Sequence, residues 1–264
     1  MLTAFDISKQ RWLARDADRA TRPFKCTECG REMFLKKGTV RVHHFAHRPP
    51  VECAYANGET MEHMRAKEEI YTALKSSPRV TKLAIEAPIQ KNGIGARPDV
   101  RFALDGDTFV AVEFQRASLD PREIERRTIN YFKLKVHVLW VTSWPPKLTP
   151  YERYRPRETE RYLHALYFGH VFMWHPVEGL RAVHFDKYKI DVEERDYYDG
   201  DGEEQSGGGY SYVSRQVVTP RVKGCLELLS LRPKRRPAFV DKWRTLPEAL
   251  LLTLPENERS RAHW

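Results

Sequence analysis

Residues 97–115, RPDVRFALDGDTFVAVEFQ, carry apolar side chains at every second position on either side of a DGDT turn. Val100, Phe102 and Leu104 alternate on one side, and Val110, Val112 and Phe114 on the other, which predicts two strands sharing a buried face. A turn centred on Gly106 sets Asp99 directly opposite Glu113, both on the other face, and Gln115 shares that face two residues later. VHVLWVT is a nearly continuous apolar run and predicts a buried central strand. Residues 58–77 read as a helix, with Glu59, His63, Lys67, Ile70 and Leu74 along one stripe. A second helix starts at Asp120 as N-cap, with Pro121 at N1 and Glu123 completing a capping box. Arg126, Arg127 and Asn130 form its polar side, and Ile124, Ile129 and Phe132 its apolar side. The order helix, strand, hairpin, helix, strand predicts an α/β fold with a mixed central sheet flanked by helices.

Breaks in this pattern divide the chain. SWPPKLTP at 143–150 is a proline-rich boundary. Beyond it, RETERYLHALYFG reads as a helix and RAVHF as a short strand. DGDGEEQSGGG reads as a flexible acidic loop, followed by a tail with the basic cluster Lys234, Arg235 and Arg236 near Phe239 and Trp243. The expected division is 1–57 (N-terminal segment and metal module), 58–145 (core), 146–198 (helix and strands) and 199–264 (loop and basic tail).

Composition adds partners and compartment. The 264 residues carry a net charge of +9, which favours an anionic partner such as nucleic acid. No apolar run is long enough for a membrane span, and MLTAFDISKQRWLARDADRA lacks the apolar region of a secretory signal, so a cytoplasmic location without membrane contact is expected. Three of the four cysteines cluster near the N-terminus, a pattern of metal binding rather than of a disulfide framework. Cys26 and Cys29 form a C-x2-C knuckle, and HHFAHRPPVEC adds His43, His44, His47 and Cys53. Cys26, Cys29, His47 and Cys53 make a Cys3His set for structural Zn²⁺, with His44 the competing histidine and REMFLKKGTVRV as the intervening hairpin. The plainer reading is a group of buried free cysteines beside exposed histidines.

The hairpin acids pose the chemical question. Like charges directly opposed destabilise a sheet unless a cation lies between them, and Mg²⁺ favours one or two carboxylates plus substrate phosphates. Glu59 is placed to add a third carboxylate, with Glu62 as its alternative. Against this stand two ordinary solvated acids and a helix start enriched in acid by the dipole. His63 and Lys67 either face phosphate or pair with these acids.

Taken in order, CTEC, HHFAH, Cys53, GETMEHMRAK, RPDV, VEFQRAS, ERRTINYF and VLWV resemble the competence protein CoiA-like family, within the PD-(D/E)xK nuclease superfamily. The resemblance covers roughly residues 20–142. It implies a restriction-endonuclease-like core with a small zinc-ribbon-like module, and a role in transformation and recombination of incoming DNA. It implies Asp99 and Glu113 as ligands of a catalytic Mg²⁺ or Mn²⁺, Glu59 as the helix acid, and Gln115 in the usual lysine position. Glutamine supplies no positive charge, so Lys67, Arg97 or a second metal would compensate.

The leading expectation is metal-dependent hydrolysis of single-stranded, double-stranded or branched DNA. His63, Lys67, Arg97, Arg126, Arg127, Lys234, Arg235 and Arg236 would contact the strand. A non-catalytic zinc-containing DNA binder, or an adaptor for recombination proteins, is the alternative. Homo-oligomerisation is left open.

Overall fold

The computed structural model describes residues 1–50, 52–53, 59–115, 119–240 and 245–258. They form two compact units. One holds Met1–Ser143 and Leu231–Thr253; the other holds Trp144–Ser230 and the described residues from Leu254 on.

The chain opens with β1 (Thr3–Phe5), β2 (Arg11–Leu13), β3 (Phe24–Lys25), β4 (Glu32–Lys36) and β5 (His44–His47), an antiparallel sheet in the order β2-β1-β3-β4-β5. β4 shows why: Met33 and Leu35 are buried while Glu32 and Lys36 face solvent. Phe24 and Phe45 meet at 4.9 Å between ring centroids in a core closed by Met33 and Leu35. The hairpin between the two ligand pairs joins EMFLK to HFAH, so the expected return strand TVRV is its loop.

Next come α1 (Met61–Lys75), β6 (Val80–Ile85), β7 (Ile89–Lys91), β8 (Ile94–Ala96), β9 (Val100–Leu104), β10 (Thr108–Gln115), α2 (Pro121–Lys133) and β11 (His137–Ser143). α1 starts later than the stripe suggested. Thr60 is its N-cap, accepting from the His63 amide at 3.3 Å, so Glu59 precedes the helix. Asp120 caps α2 by accepting from Arg122 N, whereas Glu123 pairs with Arg126 instead of closing a capping box. The β9–β10 register is the expected one, with Val112 opposite Val100 and Phe102 opposite Val110. Asp105 and Gly106 turn the chain at φ 49° and 93°, left-handed values that glycine adopts without cost. β10 then runs parallel to β11, with Glu113 beside Trp140. Unlike a half-exposed hairpin, β10 is buried from Val110 through Phe114. Successive residues point to opposite faces, and α1 reaches Phe114 while α2 reaches Glu113, so a helix covers each face.

The second unit contains α3 (Glu158–Leu166), β12 (Val171–His175), β13 (Gly179–Val192), β14 (Arg195–Tyr198), β15 (Glu204–Gly207) and β16 (Tyr210–Val222). β12, β13 and β16 form an antiparallel ribbon, and RAVHF is part of the 14-residue β13. The acidic stretch expected to be a flexible loop is largely a β14–β15 hairpin, in whose turn Asp199 accepts from the amides of Asp201 and Glu203 at 3.0 Å each.

The chain then returns to the first unit as β17 (Arg232–Arg236), β18 (Phe239–Val240), β19 (Thr245–Leu246) and β20 (Ala249–Thr253). β20 lies parallel to β11 with Leu251 beside Val138, and β17 pairs antiparallel with β20. This unit's mixed sheet therefore runs β17-β20-β11-β10-β9-β6. The expected basic tail is thus a strand of the core: Lys234, Arg235 and Arg236 sit in β17, and Arg235 Nε donates to Glu248 at 2.7 Å. Trp243 lies outside the described residues.

Candidate functional site

The knuckle follows β3. Gly30, at φ 69°, closes it and donates to the Cys26 carbonyl at 3.1 Å. His47 ends β5, and Cys53 follows. The ligand atoms of Cys26, Cys29, His47 and Cys53 all lie within 4.8 Å of one another. Cys26 Sγ is 4.0 Å from Cys53 Sγ, and Cys29 Sγ is 3.3 Å from His47 Nε2. A tetrahedral zinc with Zn–S near 2.3 Å places two sulfurs about 3.8 Å apart, so the set fits that geometry. His44 stands aside, with Nδ1 2.9 Å from the Val42 carbonyl.

A second group forms where β9 meets α1. His63 Nε2 lies 3.0 Å from Asp99 Oδ2, and His63 Nδ1 lies 3.5 Å from Glu59 Oε1. Asp99 Oδ2 also accepts from the Phe114 amide at 2.8 Å. Lys67 Nζ contacts Glu59 and lies 2.6 Å from Glu86 Oε1 and 3.6 Å from Asp99 Oδ1. Burial works against the Lys67 ammonium, but the three carboxylates outweigh it and raise its pKa. Burial likewise pushes Asp99 up, and Lys67 and His63 reverse this, holding it well below the usual carboxylate range. Glu59, His63 and Asp99 offer ligand atoms within 4.8 Å of one another. His63 Nε2 faces Asp99, and an imidazole nitrogen flanked by carboxylates is a donor set that suits a divalent cation taking the place of that contact.

Glu113 is held from the other side of the sheet. Tyr131 OH and Arg127 Nη2, both on α2, donate to its Oε1. The Arg127 guanidinium also lies 5.0 Å over the Trp140 ring. Burial pushes Glu113 up to about 7; Arg127 opposes this and the nearby Asp99 charge adds to it. The two hairpin acids are therefore shared between two helices rather than turned towards each other, yet both line one cavity of about 400 Å³ together with His63, Arg97, Gln115 and Arg127.

Sequence reasoning missed Glu86 and Tyr131. Glu86 is buried at φ 51°, and its carboxylate takes Lys67, the Leu2 amide (3.2 Å) and Thr3 Oγ1 (2.9 Å). Lys67 pulls its pKa down to about 2 against the upward push of burial. Its only trace in the sequence is a lone acid between apolar residues in AIEAP. Arg97 donates from Nε to the Glu86 carbonyl at 2.8 Å and from Nη2 to Thr27 Oγ1 at 2.9 Å, tying the cysteine knuckle to the acidic group.

The remaining cations divide. Lys67, expected to meet phosphate, is 2% exposed and enclosed by carboxylates, so it is an internal counter-ion. Arg97, Arg126 and Arg127 line the cavity, with Arg126 paired to Glu123 at 2.6 Å. Lys234, Arg235 and Arg236 belong to a strand that lines no part of it. Among the described residues, no helix is long and apolar enough to cross a membrane.

Two family descriptions match adjacent stretches. Residues 8–56 match "Competence protein CoiA, N-terminal domain", and residues 59–154 match "Competence protein CoiA, nuclease-like domain". The chain is 30% identical over 124 residues to "Competence protein CoiA" of Bacillus subtilis (strain 168), covering 47% of this chain and 32% of the relative. It thus spans about a third of the length of the curated relative it matches. No solved structure matches.

Proposed function

The chain belongs to the CoiA-like family, and from that premise we propose that its core is a divalent-metal-dependent deoxyribonuclease acting on incoming or recombining DNA. One observation carries the reading: of the cluster Glu59, His63 and Asp99, able to hold a cation, His63 and Asp99 line one cavity together with Glu113, Gln115 and three arginines. These residues fit Mg²⁺ or Mn²⁺, which when bound polarises a phosphodiester and activates water. Glu59, His63 and Asp99 would hold the ion from one side, with Glu113 facing it across the cavity. The Gln115 amide orients a water by hydrogen bonding, since it carries no charge. Arg126 and Arg127 lie where a phosphate entering the cavity would need balancing charge. Lys67, enclosed on α1, keeps Asp99 and Glu86 ionised. Zn²⁺ on Cys26, Cys29, His47 and Cys53 is structural, because four protein ligands leave no open position.

A second reading draws on the same cluster. Lys67 and Arg127 already neutralise these carboxylates, so the site can be stable as a metal-free scaffold for DNA binding. Cleavage separates the two. Wild-type protein should cut labelled single- or double-stranded DNA with Mn²⁺ or Mg²⁺ and stop in EDTA, while Asp99→Ala and Glu113→Ala bind but do not cut. Wild-type cleavage by Asp99→Ala in metal-restored buffer would remove the hairpin from the chemistry.

A further inference from the structure

A second cavity, of about 580 Å³, lies elsewhere on the same core unit. β7, β9, β10 and the end of α2 line it, whereas β8 contributes to the candidate site and packs on α2. Its floor is apolar, with Phe102, Leu134 and Val136. Phe109 is 43% exposed at its edge. Lys82, Lys91, Arg101 and Lys135 bring four cations against the one acid, Asp107.

The lysines carry no carboxylate partner: Lys82, Lys91 and Lys135 pair with none among the described residues. Arg101 donates from Nη1 to the Pro88 carbonyl at 3.0 Å, while its Nε is buried without a hydrogen-bond partner. Two of the lysines occupy backbone that disfavours them. Lys82 sits at φ 52° in a bulge of β6, which lays its ammonium 4.9 Å over the Phe109 ring. Lys135 takes φ 59° just past α2, where glycine or asparagine usually ends a helix. Strain of this kind persists where the surroundings impose it, and it gathers at binding sites.

An apolar floor, a half-exposed ring and three lysines without carboxylate partners suit a ligand that is flat and aromatic at one end and anionic at the other. The volume lies within the usual range for small-molecule sites, roughly 300–1,000 Å³. We propose that this cavity binds one nucleotide unit, its base on Phe109 and its phosphate among Lys82, Lys91, Arg101 and Lys135. Aromatic stacking accepts any base, and the lysines track the backbone. Four residue steps along β10 lead from Phe109 to Glu113, about 13 Å at 3.3 Å each. A single strand covers that span with about four stacked nucleotides at 3.4 Å apiece, so one strand can engage both places.

The test uses the full chain in EDTA, where nothing is cut, titrated against a short labelled oligothymidylate and against free dTMP at two salt concentrations. Phe109→Ala should weaken strand binding about tenfold or more. Lys135→Gly should weaken it several-fold and lower the salt slope by about one, with the melting temperature unchanged or raised because glycine suits that backbone. Binding of dTMP that Phe109→Ala abolishes would assign the cavity to free nucleotides; binding of the strand alone would assign it to nucleic acid. Loss with Lys135→Gly but not with Phe109→Ala would overturn the base contact and leave a bare anion site. The proposal also falls if the wild type binds neither probe or if both variants bind as the wild type does. Cleavage does not enter this readout, so failure of the nuclease reading leaves it standing.

Discussion

Replacing Lys67 with methionine keeps the length and most of the volume of the side chain but deletes its charge. The ammonium is 2% exposed and serves Glu59, Glu86 and Asp99 at once. Its removal leaves three carboxylates facing one another in a site shielded from water. Breaking a buried ion pair from one side costs about 3–5 kcal/mol. At roughly 2–4 °C per kcal/mol for a protein of this size class, the melting temperature should fall by about 6–20 °C at pH 7. The pH dependence identifies the cause. In the wild type, Glu86 and Asp99 are held below their ordinary values, so their stabilisation is full above about pH 4.5 and fades as pH falls towards 2. In Lys67→Met, burial is opposed only by the lesser contributions of His63, the N-terminus and the Phe114 and Leu2 amides, so those pKa values rise, the penalty is largest at neutral pH, and protonation relieves it. The stability gap between the two proteins should therefore narrow from pH 7 to pH 4. Mn²⁺ should stabilise the variant more than the wild type, the variant gaining about 2.7 kcal/mol over its metal-free form at a hundred times its dissociation constant. Urea denaturation at several pH values, with and without Mn²⁺, measures all three. A gap under about 1 kcal/mol at pH 7, or one that does not change with pH, would refute the counter-ion role.

Two further outcomes follow from other parts of the fold. The Cys3His set should hold one Zn²⁺ per chain by elemental analysis, with His47→Ala losing it and His44→Ala keeping it, since His44 faces the Val42 carbonyl. His170 is fully buried, and burial, against a weaker upward pull from the Phe168 backbone, lowers its pKa to about 3. Protonation therefore favours the unfolded chain below about pH 6.5, and stability should drop by about 2 kcal/mol between pH 6.5 and 5 relative to His170→Leu, a loss that parallel denaturation curves would show.

The parts of this fold legible in the sequence are those set by local rules. The DGDT turn dictated the β9–β10 register, and the C-x2-C knuckle with His47 and Cys53 named a set that the structure brings together. What escaped depends on distant partners. Asp99 opposes Glu113 in register, but which way each carboxylate turns is decided by Lys67 and His63 on one helix and Arg127 and Tyr131 on another. Periodicity carries no information about that choice. The sequence leaves His63 open between phosphate and a nearby acid, because its position on the stripe does not say which acid it meets; it meets Asp99 and Glu59. LRPKRR read as a tail because its charge hides its pairing, yet a charged strand is what the outer edge of a sheet tolerates. Glu86 had no motif, and only the strand that folds back onto it reveals its part.

That glutamate bears on how such proteins can be recombined. Two family descriptions meet between residues 56 and 59, as if one piece could be exchanged for another. Glu86 lies in the second but is held from outside it as well. Its side chain receives Leu2 and Thr3, which precede both stretches, and Lys67 from the second; its carbonyl receives Arg11 from the first and Arg97 from the second. A transplanted metal module would have to bring an amide, a hydroxyl and a guanidinium to the same three points, or leave a buried acid short of donors. The interchangeable unit is therefore the two stretches together with the residues that precede them.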